Sequence, residues 1–294
     1  MLILLQKISH ALVAHRLDRM RGVRRVLLFC FYALRPSGEV TLDIAEGKVR
    51  IDLKDRGQAP YLFLFGAYDE SEIEILRAIV RPGMSVADIG ANFGYFTLLM
   101  SRLVGPEGHV YAFEPESHAY GMLQETIRLN GLANVTPVKA AAGSRAGSAR
   151  LFLDRKNLGN PSLSEKNIPT TARGGAEEIE VAMLDAYMGQ KKLDAIKIDV
   201  QGAEGLAFWG GRETIMRDKP VIFTEFWPYG LRNLGTDPKE FVQFLESAGL
   251  RCALVHAQSG SLKDVTPETA LGIARNRPRG MGWANMLCRK VSSA

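Results

Sequence analysis

The sequence of 294 residues has few of the features that mark disulfide-rich, zinc-binding or membrane-spanning proteins. Its three cysteines, Cys30, Cys252 and Cys288, form no Cys-x-x-Cys pair, so we expect three free thiols and no zinc site. The longest apolar run near the start, Val26–Leu34, is too short for a bilayer, which needs about 20 residues. Met1–Leu5 lacks the positive charge that opens a secretory signal. These absences favour a cytoplasmic protein.

Positive charge is concentrated at the N-terminus. Residues 1–35 hold seven lysines and arginines against Asp18 alone, a net charge of +6, whereas the whole chain carries +5. Residues 36–294 therefore sum to −1. Because the basic charge is confined to one short segment, we expect no nucleic-acid partner.

The same basic segment has apolar residues at helical spacing. Leu4, Ile8 and Leu12 lie four residues apart, with Lys7 and His10 between them, which predicts an amphipathic helix. Two interpretations of residues 1–35 stay open. The helix either lies on an anionic membrane surface as a peripheral contact, or packs on the rest of the chain or on a second copy in a homodimer.

The alternation of apolar segments divides the chain near residue 60. Residues 1–60 predict an amphipathic helix over 1–20 that can continue over Gly22–Leu34, followed by a β-hairpin around Glu46-Gly47. Residues 61–294 predict one α/β domain, because short apolar strands alternate with helices there. The predicted strands are Ser85–Ile89, His109–Phe113, Val135–Ala140, Ala149–Leu153, Ile179–Met183, Ala195–Ile198, Val221–Phe226, Cys252–Val255 and Trp283–Cys288. Such βα units form a mostly parallel sheet with helices on both faces, and ligands bind beyond the carboxyl ends of its strands.

A glycine turn follows the first of these strands. In Asp88-Ile-Gly-Ala-Asn-Phe-Gly94, Gly90 permits a sharp turn, and Gly94 allows the helix to lie close to the strand. Free backbone N–H groups at that helix start favour an anionic group. Glu114 ends the second strand 26 residues after Asp88, where a carboxylate can accept hydrogen bonds from ribose hydroxyls. Together these features predict a nucleoside site.

The charge beside the turn favours one nucleoside over another. The motif has no third glycine for a pyrophosphate, and the carboxylate of Asp88 would repel one. A carboxylate suits the amine and sulfonium of S-adenosylmethionine. A nicotinamide-dependent oxidoreductase is the rival interpretation.

Four motifs in order resemble those of the FkbM-type methyltransferase family. They are Asp88-Ile-Gly-Ala-Asn-Phe-Gly-Tyr-Phe-Thr97, Ala112-Phe-Glu-Pro115, Asn130-Gly-Leu-x-Asn-Val135 and Lys197-Ile-Asp-Val-Gln-Gly-Ala-Glu204. The resemblance implies a Rossmann-like class I methyltransferase fold with seven strands, the last antiparallel, and methyl transfer to oxygen on sugars, polyketides or glycolipids. One departure is Gln201, where the family usually has Glu, so Gln201 receives no catalytic role.

The family resemblance also implies a role for individual residues. The turn next to Asp88 would hold the methionyl end, Glu114 with Pro115 the ribose, and the backbone of Ala141 the adenine edge. Asp199 would face the sulfonium and the acceptor, and Tyr68 would cover the methionyl group. The implied cofactor-binding residues are Tyr68, Asp88, Gly90, Ala91, Asn92, Phe93, Gly94, Glu114, Pro115, Ala141 and Asp199.

Methyl transfer to an aliphatic hydroxyl needs a base or a cation beside that hydroxyl. Asp199, Glu204 and Glu225 follow predicted strands and are the candidate catalytic residues. Oxygen ligands suit a hard ion such as Mg²⁺, with Asp199 and Glu225 as candidate ligands. Alternatively, Glu204 and Glu225 form structural ion pairs, for instance with Lys197 or Arg212.

Two further functions stay open. A nucleobase N-methyltransferase would show an Asn/Asp-Pro-Pro-aromatic stretch after the fourth strand, where this chain has Asp199-Val-Gln-Gly. A catalytically weakened cofactor-binding module is favoured only by Gln201. The acceptor itself is expected to contact the polar loop at 155–175. His256, after a late strand, stays open as a base.

Overall fold

The computed structural model describes residues 1–20, 22–34, 36–255, 262–266, 269, 272 and 282–290. Its helices are α1 Leu2–Ala14, α2 Val23–Leu34, α3 Ala59–Phe65, α4 Glu70–Ile79, α5 Tyr95–Val104, α6 Ser117–Asn130, α7 Leu184–Met188, α8 Glu204–Gly210, α9 Arg212–Asp218, α10 Pro228–Asn233 and α11 Pro238–Ser247. Its strands are β1 Glu39–Ile44, β2 Gly47–Asp52, β3 Ser85–Ile89, β4 His109–Phe113, β5 Val135–Val138, β6 Ala141–Ala142, β7 Gly147–Asp154, β8 Arg173–Ala182, β9 Ala195–Ile198, β10 Val221–Phe226, β11 Leu250–Val255, β12 Leu262–Asp264 and β13 Ala284–Lys290.

The central sheet has the order β12-β11-β13-β10-β9-β3-β4-β5. Strands β5, β4, β3, β9 and β10 pair in parallel, and β13 is antiparallel to both of its neighbours. The predicted mostly parallel sheet with an antiparallel last strand is confirmed. The predicted count of seven is one short, because β12 adds an edge strand. Its three residues are all exposed, so it lacks the apolar alternation that identifies a strand in a sequence.

Successive residues of the central strands face two separate apolar cores. Val86 and Ala195 belong to one core, whereas the adjacent Ala87 and Ile196 belong to the other. Side chains alternate between the faces of a strand, so the sheet is covered on both faces. This burial explains why these strands are short apolar runs in the sequence.

A smaller sheet of three strands lies beside the central one, in the order β6-β8-β7. The long strands β7 and β8 form an antiparallel pair, and the polar loop 155–172 connects them.

One predicted helix, residues 203–216, is in fact two helices, α8 and α9. They meet at Gly210-Gly211, where a Cβ on Gly210 would lie 1.9 Å from the carbonyl oxygen of Gly143.

The cysteines depart from the prediction of three free thiols. Cys252 on β11 and Cys288 on β13 are paired as a disulfide, because the antiparallel register places these two residues directly opposite each other. Cys30 is free. Sequence spacing gives no sign of this pairing, since 36 residues separate the two cysteines. A cytoplasmic location stays a prediction, and the cysteines no longer support it.

The N-terminal segment packs against the rest of the chain. Ser9 of α1 donates a hydrogen bond to the carbonyl oxygen of Leu64 in α3 (2.6 Å), and Leu27 and Phe31 of α2 are buried. The predicted helical segment and the hairpin β1–β2 are confirmed, but the helix over residues 1–20 ends at Ala14 and α2 is a separate helix. The predicted boundary at residue 60 lies inside α3, and the division into two domains stays a prediction. None of the described helices combines the length and the apolar character needed to cross a bilayer.

Candidate active site

The turn after β3 touches the end of β9. Gly90 has a φ of +83°, and a Cβ at this position would lie 2.0 Å from the carbonyl oxygen of Asp199. Only glycine accepts both constraints. The two neighbouring parallel strands therefore bring the glycine turn and Asp199 to one point at the carboxyl edge of the sheet.

The backbone amides of this turn are engaged within the protein. The N–H groups of Gly90 and Ala91 both donate to the carbonyl oxygen of Phe113, at 3.0 and 2.9 Å. The N–H of Asn92 donates to Glu114 Oε2 at 2.7 Å. The N–H groups of these three residues are therefore occupied, and an anionic group at the start of the helix, which begins at Tyr95, stays a prediction. Their hydrogen bonds fix the turn to the end of β4 instead.

Asp88 lies deeper than the sequence suggested. Its side chain is fully buried, it accepts a hydrogen bond from Thr97 Oγ1 (2.5 Å), and Oδ1 lies 3.7 Å from Lys197 Nζ. Burial raises the pKa of Asp88 above its usual value. The predicted contact of Asp88 with the amine of a cofactor is thus replaced by an internal ion pair, because the carboxylate points into the core.

Lys197 is a central charge that the sequence interpretation treated only as an ion-pair partner. Its side chain is buried, with Nζ 5.0 Å from the ring centre of Phe96. Burial lowers the pKa of Lys197, but four acids, Asp88, Asp199, Glu72 and Glu114, together raise it above its usual value. A protonated lysine therefore balances part of the negative charge of this region.

A cleft opens beside the turn and encloses about 610 Å³ when the part open to solvent is included. Its polar lining includes Asn92, Glu114, Asp199 and Gln201. The apolar lining includes Phe113, Pro115, Ala119, Ala140, Ala141, Ala142, Leu151, Leu158 and Leu163. This combination of apolar and acidic lining suits a ligand with a flat apolar ring and a cationic centre.

The predicted binding residues are distributed around this cleft as follows. Gly90, Asn92, Glu114, Pro115, Ala141 and Asp199 line it. Ala91 and Phe93 are buried behind the turn. Gly94, with a φ of +89°, packs against Leu123 of α6, where a Cβ would lie 2.8 Å from Leu123 Cδ1. These last three residues shape the turn rather than line the cleft.

Glu114 is held at the floor of the cleft. Its side chain is 4% exposed, Oε2 accepts from the N–H of Asn92, and Oε1 accepts from the N–H of Glu116 (2.8 Å). Burial raises the pKa of Glu114 to about 7. Each carboxylate oxygen can accept a further hydrogen bond, so Glu114 can still bind two hydroxyls.

Three acids lie together at Asp199, which lines the cleft. Carboxylate oxygens of Asp199, Glu204 and Glu225 all lie within 4.8 Å of one another. Glu204 Oε1 accepts from the N–H groups of Val200 (3.0 Å) and Gly202 (3.3 Å). Glu204 Oε2 and Glu225 Oε2 are buried without a hydrogen-bond partner in the described structure.

The environment makes Glu204 and Glu225 hold protons more tightly than usual. Burial raises the pKa of Glu204 to about 7. Burial, followed by the charges of Asp199 and Glu204, raises the pKa of Glu225 well above its usual value. The alternative ion pairs are not formed within the described residues, because Lys197 pairs with Asp88 and Arg212 stacks on Phe244, 5.4 Å from the ring centre.

Gln201 orients Asp199. The Nε2 of Gln201 donates to Asp199 Oδ1 at 2.7 Å, and the residue has a left-handed φ of +52°. Its carbonyl oxygen accepts from Ser162 Oγ and Asn167 Nδ2, both at 2.9 Å. The amide at this position therefore connects the acid cluster to the loop 155–172.

Glu72 and Tyr68 complete the surroundings of Asp199. Burial raises the pKa of Glu72 to about 8, and Asn285 Nδ2 donates to Glu72 Oε1 at 2.8 Å. Burial, together with the charge of Asp199, raises the pKa of Tyr68, so its phenol remains a donor near that carboxylate. Glu72 was not among the predicted site residues. It lies three residues after Asp69, which is the spacing of a helix-capping pair. His256 lies outside the described residues.

The family of this chain follows from its match to a known sequence model. The sequence model described as "Methyltransferase FkbM domain" matches residues 88–252, more than half of the chain. The chain belongs to the FkbM methyltransferase family. It is therefore an S-adenosylmethionine-dependent methyltransferase with a Rossmann-like class I fold, as the motifs predicted. The rival interpretation as a nicotinamide-dependent oxidoreductase is set aside.

Individual relatives of this FkbM methyltransferase carry similar names. Methyltransferase sdnD of Sordaria araneosa is 29% identical over 177 residues, which cover 50% of this chain and 68% of that protein. Methyltransferase 1 of Beauveria bassiana is 24% identical over 137 residues, covering 40% and 55%. A solved structure of methyltransferase FkbM from Methylobacillus flagellatus KT is 15% identical, covers 91% of this chain and 59% of that one, and gives a TM-score of 0.42.

Proposed function

We propose that this protein transfers a methyl group to a hydroxyl of a sugar, glycolipid or other hydroxylated small molecule. The observation that supports this proposal is the cluster of Asp199, Glu204 and Glu225, of which Asp199 lines the cleft. An aliphatic hydroxyl is a weak acid and must lose a proton during methyl transfer. A carboxylate whose pKa lies well above its usual value is a better base for that purpose than an ordinary one.

In this proposal the cleft divides the cofactor between its two ends. The alanine-rich end next to Ala141 accepts the adenine, and Glu114 accepts hydrogen bonds from the ribose hydroxyls. Asp199 lines the cleft and also belongs to the acid cluster, so it faces the sulfonium. When bound, S-adenosylmethionine supplies an electrophilic methyl group. The combination of apolar and acidic side chains that line the cleft fits a cationic nucleoside.

Glu225 is the proposed general base. Its Oε2 has no hydrogen-bond partner in the described structure, although it is buried, and the pKa of the group is raised. Asp199 is oriented by the amide of Gln201, and Glu204 by two backbone N–H groups. Glu225 is therefore the acid of the three with fewest constraints on accepting a proton from the acceptor hydroxyl.

The same three acids offer a site for Mg²⁺, with Asp199 and Glu225 as proposed ligands. Carboxylates this close together repel one another unless a proton or a cation lies between them. Unpartnered oxygens on Glu204 and Glu225 and an all-oxygen donor set fit a hard divalent ion. The metal would lower the pKa of a bound hydroxyl, whereas without it Glu225 alone would take the proton.

A labelled-cofactor assay tests the proposed function. The protein is incubated with methyl-labelled S-adenosylmethionine and a panel of sugars, glycolipids and matched amines, each with Mg²⁺ and with a chelator. We expect label on oxygen, identified by mass spectrometry. Label on nitrogen would instead establish an N-methyltransferase. Binding of S-adenosylhomocysteine without turnover of any acceptor would favour a weakened cofactor-binding module.

A further inference from the structure

The outer side of the two N-terminal helices is rich in exposed apolar side chains. Among the residues that the structure describes, nine of the twelve large apolar side chains that stand exposed belong to residues 1–32. These nine, here called the N-terminal apolar face, are Met1, Ile3, Leu4, Ile8, Leu17, Met20, Val26, Phe29 and Tyr32. Phe29 is 72% exposed and Ile3 69%. A concentration of this kind marks an interaction surface.

This face is not the side by which the helices pack on the domain. The inner side of α1 contacts α3 through the hydrogen bond from Ser9 to Leu64. On α2, Leu27 and Phe31 are buried, and the ring of Phe31 lies 5.6 Å from that of Phe63. Within the face, the Tyr32 hydroxyl also donates to the carbonyl oxygen of Arg56 (3.0 Å), whereas Ile3 and Phe29 stay largely exposed.

The exposed charges that the structure describes within residues 1–34 have one sign. Lys7, Arg16 and Arg25 are exposed. Asp18, the only acid in residues 1–34, is buried and bound by Arg24 at 2.7 Å. Beyond this segment, the exposed Glu70 lies 3.7 Å from Arg24. The segment that carries the apolar face is thus basic, with one acid of the neighbouring helix beside Arg24.

We propose that the N-terminal apolar face docks on an anionic lipid surface. Apolar side chains beside basic ones are the pattern of helices that lie in a membrane interface. A second copy of this chain would place two basic segments against each other, so like charges would oppose a dimer through this face. An anionic lipid surface instead complements the charge.

Docking would hold the methyltransferase domain at the membrane surface. Helix α3, which contacts α1, ends at Phe65, three residues before Tyr68 of the cleft region. Docking at a membrane favours a lipid-linked acceptor. This inference about the acceptor rests on the proposed function. The docking itself does not depend on which acceptor is methylated.

Vesicle co-sedimentation of the full chain tests the docking. The vesicles contain phosphatidylcholine alone, or phosphatidylcholine and phosphatidylglycerol at roughly three to one. We expect binding only to the anionic vesicles, weakened by salt. Ile3→Ser with Phe29→Ser should weaken binding at least about tenfold. Lys7→Glu with Arg25→Glu should weaken it by more than about tenfold, because each basic residue contributes about fivefold.

Matched controls make the result decisive. Met216→Ser replaces an exposed apolar residue of α9, and Arg145→Glu reverses an exposed charge far from the face; both should bind vesicles like the original protein. Melting curves and affinity for S-adenosylhomocysteine, measured on every variant, separate a docking defect from a damaged fold or active site. Equal binding to neutral and anionic vesicles, no binding, or face variants that behave like their controls would overturn the proposal. A dimer that Phe29→Ser disperses would also overturn it.

Discussion

Glu114 illustrates how burial and hydrogen bonding combine at one residue. Burial alone disfavours a charged carboxylate, and it raises the pKa of Glu114 to about 7. Two backbone N–H groups, from Asn92 and Glu116, act in the opposite direction. The side chain is thereby fixed in position before a ligand arrives, and this fixed position favours recognition of a pair of ribose hydroxyls.

Replacing Glu114 should weaken cofactor binding. Glu114→Ala removes a buried acceptor for two hydroxyls, so the affinity for S-adenosylhomocysteine should fall by about 2–4 kcal/mol. Glu114→Gln keeps one acceptor oxygen and should cost less. Titration calorimetry measures both. Unchanged affinity in the alanine variant would reduce Glu114 to a residue that only holds the turn, through Asn92.

The raised pKa of Glu225 should appear in the pH dependence of turnover. A general base works only when ionised, so kcat/KM should rise with pH as Glu225 loses its proton, well above the usual carboxylate range. Glu225→Gln should lower kcat by about 10²–10⁴-fold and remove this acidic limb. Glu240→Gln, at an exposed position of α11, is the matched control. An acidic limb that persists in Glu225→Gln would assign the base to another group.

At the scale of elements, the sequence predicted what depends on local pattern. Strand β3, its glycine turn and β9 were found because short buried strands read as apolar runs ended by glycine or acid. Strand β12, the break between α8 and α9, and the pairing of Cys252 with Cys288 depend on contacts between distant segments. The sequence predicted that Asp88 contacts the ligand, because a sequence does not show which side chains turn inward.

The close approach of two elements at Gly90 gives a stability prediction. Gly90→Ala places a Cβ 2.0 Å from the carbonyl oxygen of Asp199 in a backbone with φ of +83°, so the free energy of unfolding should fall by about 2–4 kcal/mol. Gly121→Ala, in the middle of α6 with no atom within 4 Å of the new Cβ, should be neutral or stabilise the protein by up to about 1 kcal/mol. Denaturant unfolding of both variants checks the pair. Equal stability would mean that β3 and β9 do not meet as described.

At the scale of the whole molecule, the buried acids link stability to pH. The pKa of Glu72 is raised to about 8 and that of Glu204 to about 7. Between the usual glutamate value near 4.3 and these raised values, the folded protein binds more protons than the unfolded chain. The free energy of unfolding of the ligand-free protein should therefore fall as the pH rises from about 5 to about 8.

A pair of variants on α4 isolates one of these acids. Glu72→Gln removes a proton-binding group. Between about pH 5 and 8 the free energy of unfolding of this variant should therefore fall less than that of the original protein, by on the order of 2 kcal/mol. Glu74→Gln, exposed on the same helix, should keep the full loss. His109, whose pKa is lowered by burial, changes stability in the opposite direction but equally in both variants. Chelator-treated samples are compared by denaturant unfolding. An undiminished loss in Glu72→Gln would contradict the burial of this carboxyl.

The position of Asp199, at once in the cleft and in the acid cluster, unites the cofactor site with the site of chemistry. The decisive comparison is Asp199→Asn, with Asp43→Asn at an exposed position of β1 as control. Turnover is measured with labelled S-adenosylmethionine and affinity with S-adenosylhomocysteine. We expect kcat to fall at least about 100-fold, while affinity falls less than about tenfold, because the carboxylate acts mainly in the transition state. Equal losses in turnover and affinity would contradict a catalytic role for Asp199 and leave it only a cofactor contact.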